Sequence, residues 1–328
     1  FTFNILTKIW KKIIVKDKDS IPKERAAHAA ASNDKGQMAI YGGSTKSGGL
    51  AEDSLYLFIL NKNNEDEGEW TKIKTSGPTP GERYGHSLSY LNPYFILFGG
   101  NFNPHLSNDI WIINVSDTDH HWLKIDYIND KDKIPIERLY HTSEVCNYGK
   151  YKNKLIIFGG RDPKNNPLND LWVLDIKDNK GEWVQLFPKN NENKLTPRNN
   201  HSMLFYDSLL IILGGKSSSS NKIPIEVFDM ENSNYFSFRT LLMNRHSSFI
   251  FDEDIYFFGG FYSKNHAPLG DIYKISLTKL FADSPLIKLI SAKNKEKNNN
   301  QTTSRDVKSH YKLSHEVVIG SDGVITNY

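Results

Sequence analysis

The apolar positions of this chain fall in short runs, and five of those runs close on a pair of glycines. MAIYGG ends at Gly43, FILFGG at Gly100, LIIFGG at Gly160, LIILGG at Gly215 and IYFFGG at Gly260, with spacings of 57, 60, 55 and 45 residues. Self-similarity at such a period marks a repeat architecture. Around each pair lie further apolar stretches, each of strand length and too short for a helix. One unit reads HSLSYL from His86, YFILFGG from Tyr94, DIWIINV from Asp109 and HWLKIDY from His121. The next repeats the order with HTSEVC from His141, KLIIFGG from Lys154, DLWVLDI from Asp170 and EWVQLF from Glu182. Four strands per repeat predict an all-β chain whose four-stranded antiparallel sheets are the blades of a propeller.

The glycines have a physical reason in that geometry. Gly42 and Gly43, Gly99 and Gly100, Gly159 and Gly160, Gly214 and Gly215, and Gly259 and Gly260 let the chain leave the second strand in backbone conformations closed to other residues. Bulky aromatics are expected to fill the wedges between blades. Trp111 and Trp122, like Trp172 and Trp183, stand 11 residues apart, and Tyr56 with Trp70 repeats the arrangement over a longer insertion. Trp10 takes the same position near the start of the chain.

The unit boundaries follow. FTFNIL and TKIWKKIIV read as the third and fourth strands of a blade, so residues 1–15 are expected to be the end of a truncated one. Four whole blades fill about 23–240, starting near Arg25, Arg83, Arg138 and Arg198. The last unit, 245–277, supplies only three strands, and six blades in the full protein reconcile the two ends. The propeller is thus expected over 1–278, a disordered polar linker over 279–312, and a short β segment over 313–328 that leads to a downstream domain. The loops NKNNEDEGE from Asn61 and PKNNENKLTP from Pro188 read as solvated surface.

A glycine pair, then an aromatic, then a tryptophan resembles the kelch repeat, and the likeness spans roughly residues 1–278. The phrases PKERAAHAAA from Pro22, ERYGHSLSYL from Glu82, LSNDIW from Leu106 and GGRDPKNNPLNDLW from Gly159 are similar to the kelch half of the serine/threonine protein phosphatases with kelch-like repeats, known from plants and protozoan parasites. SHEVVIGSDGVITNY at the carboxy terminus resembles the segment that follows that propeller's linker. The resemblance implies a kelch-type propeller that recruits partners or substrates, with a metal-dependent phosphatase domain downstream.

Composition narrows the classes. The 41 Lys and Arg residues nearly balance the 38 Asp and Glu, and a net charge of +3 gives no reason to expect nucleic-acid binding. No apolar run approaches membrane-spanning length, and a single cysteine, Cys146, excludes an intrachain disulfide. Cytoplasmic placement, with the nucleus as a further compartment, is the corresponding expectation.

Strand order places the candidate functional residues on one face. Arg25, Arg83, Arg138 and Arg198 open the phrases RAAH, RYGH, RLYH and RNNH, while the fifth unit has Met243 there and Arg245 beside its histidine. Asp53, Asp109, Asp170, Glu226 and Asp271 open the third strands on the same face. Two readings are open: the acids brace the blades by taking hydrogen bonds from loops or arginines, or surplus guanidinium groups bind an acidic or phosphorylated segment of a partner protein. Arg161, Phe102, His105, Phe261, Tyr262 and His266 sit in loops of that face, with the composition of an interface hot spot or of a blade-edge cover.

His28, His86, His141, His201 and His246 open the first strands; symmetry holds them apart, so hydrogen bonding to the neighbouring blade's backbone is expected and no metal is assigned. DTDHH at Asp117 to His121 reads as a solvated turn, Cys146 as a core residue, and Ser217 to Ser220 as a flexible loop. The metallophosphatase phrases G-D-x-H-G, G-D-x-x-D-R-G and G-N-H-E are absent, so no catalytic residue and no cofactor is assigned to this stretch. A binding module serving a phosphatase domain leads, a free-standing cytoskeletal or ubiquitin-ligase adaptor is the alternative, and an enzyme acting at the channel mouth is third.

Overall fold

The computed structural model describes residues 1–189, 195–218 and 223–291, together with two short strands at 317–319 and 325–327. Five sheets succeed one another, each running outward strand by strand. The first blade is Ala29–Ser32, Gln37–Tyr41, Leu55–Asn61 and Asn64–Ile73. The second is Ser87–Leu91, Tyr94–Asn101, Leu106–Ile113 and Leu123–Tyr127. The third is Thr142–Cys146, Lys154–Phe158, Leu171–Lys177 and Lys180–Leu186. The fourth is Ser202–Tyr206, Leu209–Leu213, Pro224–Asp229 and Tyr235–Thr240. The fifth has three strands, Ser247–Phe251, Asp254–Phe258 and Ile272–Ser276. Among the described residues no fourth strand pairs with Ile272–Ser276 in the fifth unit.

The second strands are apolar and buried through their middles because both faces are covered. Leu209–Leu213 is buried throughout, the continuous run of a sheet packed on each side. The core is accordingly divided into four clusters, one per junction. Tyr41, Leu55, Trp111 and Trp122 join the first and second blades. Phe98, Ile157, Trp172 and Trp183 join the second and third. Phe158, Val173, Met203 and Phe228 join the third and fourth, and Leu213, Ile225, Ile255 and Phe257 the fourth and fifth. Each such side chain contributes roughly 1.5–3 kcal/mol when fully buried.

Within each blade the strands pair antiparallel, as expected, and parallel pairing is added between the outer edges of different blades. Asp126 and Tyr127, on the outermost strand of the second blade, pair in parallel with Lys180 and Gly181 on that of the third. Ile14–Val15 pairs in parallel with Glu67 and Gly68 of the first blade. Outer edges are therefore joined across wedges, which covers backbone groups that an isolated blade would leave open. The DTDHH turn does similar work: the Ser76 amide donates to the His120 carbonyl at 3.0 Å, and the Ser76 hydroxyl reaches Asp119 at 3.3 Å.

At the amino terminus, Thr2–Asn4 and Ile9–Lys11 pair as an antiparallel hairpin, as expected of a third and fourth strand. Trp122 and Trp183 are buried wedge fillers. Trp70 is half-buried on Phe58, and Trp10 is 45% exposed because its flank is not enclosed by a whole blade.

The expected linker boundary at residue 279 is corrected. Leu277–Leu280 is helical, residues 287–291 form a second helical turn, and Phe281, Leu286 and Ile290 are buried in the cluster of the fourth and fifth blades. Strand periodicity ends at Ser276, but apolar residues recur at helical spacing and cap the last wedge. The remainder of the expected linker, 292–312, lies outside the described residues. Within the expected β segment, Val317–Ile319 pairs antiparallel with Ile325–Asn327.

Candidate partner-binding face

The face is built on the R-x-x-H phrase that opens each blade. Its third residue has left-handed backbone in every repeat, with φ of 54° at Ala27, 67° at Gly85, 57° at Tyr140, 54° at Asn200 and 58° at Arg245. That turn aims each amide at the preceding blade. Gly85 donates to the Ala27 carbonyl, Tyr140 to Gly85, Asn200 to Tyr140 and Arg245 to Asn200, at 2.7 to 3.0 Å. A ladder of backbone bonds thus runs round the channel mouth, with the side chains of these residues on its rim. The phrase's second residue pairs with the residue after the glycines, as at Tyr84–Asn101, Leu139–Arg161 and Asn199–Lys216.

The arginines resolve the two open readings. Arg83, Arg138 and Arg198 are 2%, 0% and 0% exposed. Each donates to the first glycine carbonyl of its own repeat, Gly99, Gly159 and Gly214, at 2.9 to 3.0 Å. Each also pairs with the acid that opens its third strand: Arg83 with Asp109 at 2.7 Å, Arg138 with Asp170 at 2.6 Å, and Arg198 with Glu226 at 2.8 Å. Burial pushes the Asp109 and Asp170 carboxyls up, but the bonds and charge of Arg83 and Arg138 outweigh it and hold both below the usual range. These three arginines brace the blades, and their place among the partner-binding residues is corrected: their donors are turned inward and used.

The remaining expected residues divide. Arg25 is half-buried, donates to the Gly42 carbonyl at 3.2 Å and lies over the Tyr56 ring. Asp53 takes the Tyr41 and Thr79 hydroxyls, so in the first unit hydroxyls hold the acid and Arg25 holds only the glycine carbonyl. Arg161 lies over the Tyr140 ring at 5.5 Å, and Arg245 is exposed on the rim. Burial raises the Tyr140 hydroxyl above its ordinary value, with Arg245 and Arg161 close enough to pull it back. Phe102 is 45% exposed above Arg83, and His105 beside it is exposed. Phe261 and Tyr262 are half-buried rungs paired with Asn244 and Met243, while His266 is exposed in their loop. Tyr84, Tyr140 and Lys216 were missed by sequence reasoning. The first two stand inside the repeated phrase, which was the available signal.

Beside the expected backbone bonds, which Tyr41, Phe98 and Phe158 of the preceding blades supply to His86, His141 and His201, the rings meet hydroxyls. His141 Nε2 meets the Ser87 hydroxyl at 2.9 Å, His201 the Thr142 hydroxyl at 2.8 Å, and His246 the Ser202 hydroxyl at 2.8 Å. In each case the hydroxyl belongs to the residue after the previous blade's histidine. Ala29 occupies that position for His86, which therefore has no hydroxyl partner among the described residues. Burial drives the His86 ring down to about 3 and His246 to about 4, and holds His141 and His201 well below their ordinary value. Cys146 is buried, and burial raises its thiol. Ser219 and Ser220 lie outside the described residues.

Comparison with known proteins agrees with this construction. The model of the KLHDC2/KLHL20/DRC7 kelch-repeats domain matches residues 1–151 and 118–280. Serine/threonine-protein phosphatase BSL2 of Arabidopsis thaliana is 25% identical over 65% of this chain and 19% of its own length. Kelch repeat-containing protein 2 of Saccharomyces cerevisiae is 31% identical over 47% of the chain and 17% of its own length, and tip elongation aberrant protein 1 of Schizosaccharomyces pombe is 30% identical over 48% and 13%. The matched stretches thus span a fifth or less of each of these relatives. With the glycine pairs, the bracing arginines and the five described blades accounted for, the chain belongs to the kelch-repeat family.

Proposed function

We propose that the propeller is a protein-interaction module that takes an acidic or phosphorylated segment of a partner at the channel mouth. The observation that carries this reading is the partition of the arginines. Three are consumed by carboxylates, whereas Arg161 and Arg245 flank Tyr140 on the rim and leave cationic edges beside an aromatic face. Guanidinium forks match carboxylate and phosphate, and aromatic rings add contact area at low entropic cost. Tyr84 packs on Tyr140 at 6.1 Å, and Lys216 lies on the ring of post-glycine residues.

The test is capture of a phosphoserine-bearing acidic peptide by the chain and by Arg161→Ala/Arg245→Ala. Binding that falls at least tenfold with an unchanged unfolding midpoint supports the site; equal capture removes it. Likeness to the Arabidopsis phosphatase supports a finer reading, in which the module recruits substrates for a serine/threonine phosphatase domain. The two yeast relatives support a free-standing kelch adaptor instead. Reading the transcript beyond Tyr328 separates them: a metal-binding phosphatase domain favours the first, and its absence the second.

A further inference from the structure

One carboxyl stands in the wall of the central channel without a partner. The innermost strands of the five blades read AAAS, SLSYL, TSEVC, SMLFY and SSFIF. Each ends its sheet on the inner side, so its free edge faces the channel. Glu144 is the only Asp, Glu, Lys, Arg or His among them.

Along its strand Glu144 alternates with Thr142 and Cys146. Thr142 reaches His201 and Met203, and Cys146 belongs to the cluster of the third and fourth blades, so these three side chains share the flank that meets the fourth blade. The residues at the same position in the other repeats, three after each phrase histidine, are Ala31, Ser89, Leu204 and Phe249. Ser89 shows what a polar side chain needs there: its hydroxyl meets that of Ser143 on the next blade at 2.6 Å. On the fourth blade Met203 takes the place of Ser143 and offers no donor. Glu144 makes no hydrogen bond or ion pair with any described residue, and burial without a compensating charge raises its carboxyl to about 7. It is half-buried, not enclosed. At mid-strand between two packed blades, the solvent it reaches is that of the channel. An unpaired carboxyl in such a wall is costly, and the next blade fills the same position with leucine, so packing gives no reason for it.

We propose, resting on the reading that the channel mouth takes an anionic segment, that Glu144 anchors a basic side chain of that same segment. A lysine or arginine enters the channel from the mouth at which Arg161 and Arg245 hold the anionic group. Glu144 follows Tyr140 by four residues, roughly 13 Å of extended strand, so the basic residue stands within about four positions of the anionic one. A lone carboxylate lacks the several oxygen ligands that calcium or magnesium takes, and no group of His, Cys, Asp and Glu side chains that could hold a metal ion occurs among the described residues. A lysine or arginine needs only the one carboxylate, and its apolar stem suits the wall.

The probes are acidic phosphoserine peptides with lysine two, three or four positions from the phosphoserine, on either side, and the same peptides with norleucine for lysine, which keeps the stem and removes the charge. The full chain is expected to bind one lysine peptide saturably at one to one, and roughly tenfold or more tighter than its norleucine counterpart. Glu144→Gln, which keeps the side chain's size, is expected to bind both alike at the norleucine level. Glu144→Leu, which copies Leu204, is expected to do the same, and thermal melts check that both variants fold. Equal binding of lysine and norleucine peptides by the unaltered chain overturns the channel anchor; where both are then lost in Arg161→Ala/Arg245→Ala, the rim site stands without it. A lysine preference that survives in both Glu144 variants also overturns it, by placing the basic residue elsewhere. Binding of no peptide in the series overturns the anchor together with the reading it rests on.

Discussion

At the scale of single residues, one spacing rule gives chemically identical arginines different work. Arg138 has no exposed surface, and its donors are spent on Asp170 and the Gly159 carbonyl, so Arg138→Ala strands a carboxylate that is only 18% exposed. Removing one partner of such a pair costs about 3–5 kcal/mol. Urea unfolding should show that loss, whereas Arg245→Ala, at an exposed rim position, should stay within about 0.5 kcal/mol. A second expectation concerns His86, the one fully enclosed histidine with no hydroxyl partner. Ala29→Ser places a hydroxyl where Ser87 and Thr142 already serve His141 and His201. The variant should be more stable by about 1 kcal/mol; an unchanged or lower midpoint would show that the ring cannot reach it.

At the scale of elements, the junction glycines separate backbone freedom from space. Gly36 and Gly214 both have left-handed backbone, with φ of 76° and 59°. A Cβ at Gly36 meets nothing within 4 Å, and one at Gly214 comes 2.3 Å from the Met243 carbonyl and 2.8 Å from the His246 ring. Gly36→Ala should therefore cost about 1–2 kcal/mol, the left-handed term alone, and Gly214→Ala clearly more, as thermal melts of the two can check. The strands themselves were legible because a buried second strand is written as an unbroken apolar run and its glycines recur in register. Equally legible was the pairing of acids with arginines, as one of two readings. What spacing could not convey is enclosure: whether Arg83 faces solvent or the next blade depends on how closely blades stack. The helical cap escaped for another reason, since strand alternation stops at Ser276 and the apolar positions 277, 280, 281, 286 and 290 follow a different period. Phe281→Ala tests the corrected boundary and should cost about 3–5 kcal/mol, a loss foreign to a solvated linker.

At the scale of the whole molecule, the junction histidines tie stability to pH. His86, His141, His201 and His246 stay neutral in the folded chain because burial depresses them, to about 3 for His86 and about 4 for His246. The unfolded chain protonates the same rings near pH 6.5, so below that point it binds more protons than the folded one. Their contribution is complete above about pH 6.5 and is lost as pH falls toward the folded values. Each ring gives a slope of up to about 1.4 kcal/mol per pH unit. Glu144, on the innermost strand of the third blade, acts with opposite sign: burial raises its carboxyl to about 7, so the folded state holds a proton there that the unfolded state releases above about pH 4.5. Between these limits it offsets roughly one histidine. Four rings against one carboxyl leave a net loss of about 3–4 kcal/mol between pH 7.5 and 5.5, readable as a shift in urea midpoint. In Glu144→Gln the opposing group is gone, and the same step in pH should cost about 5 kcal/mol. A pH-independent midpoint in that variant would mean that the junction rings are solvated and that the blades are not closed on one another as described.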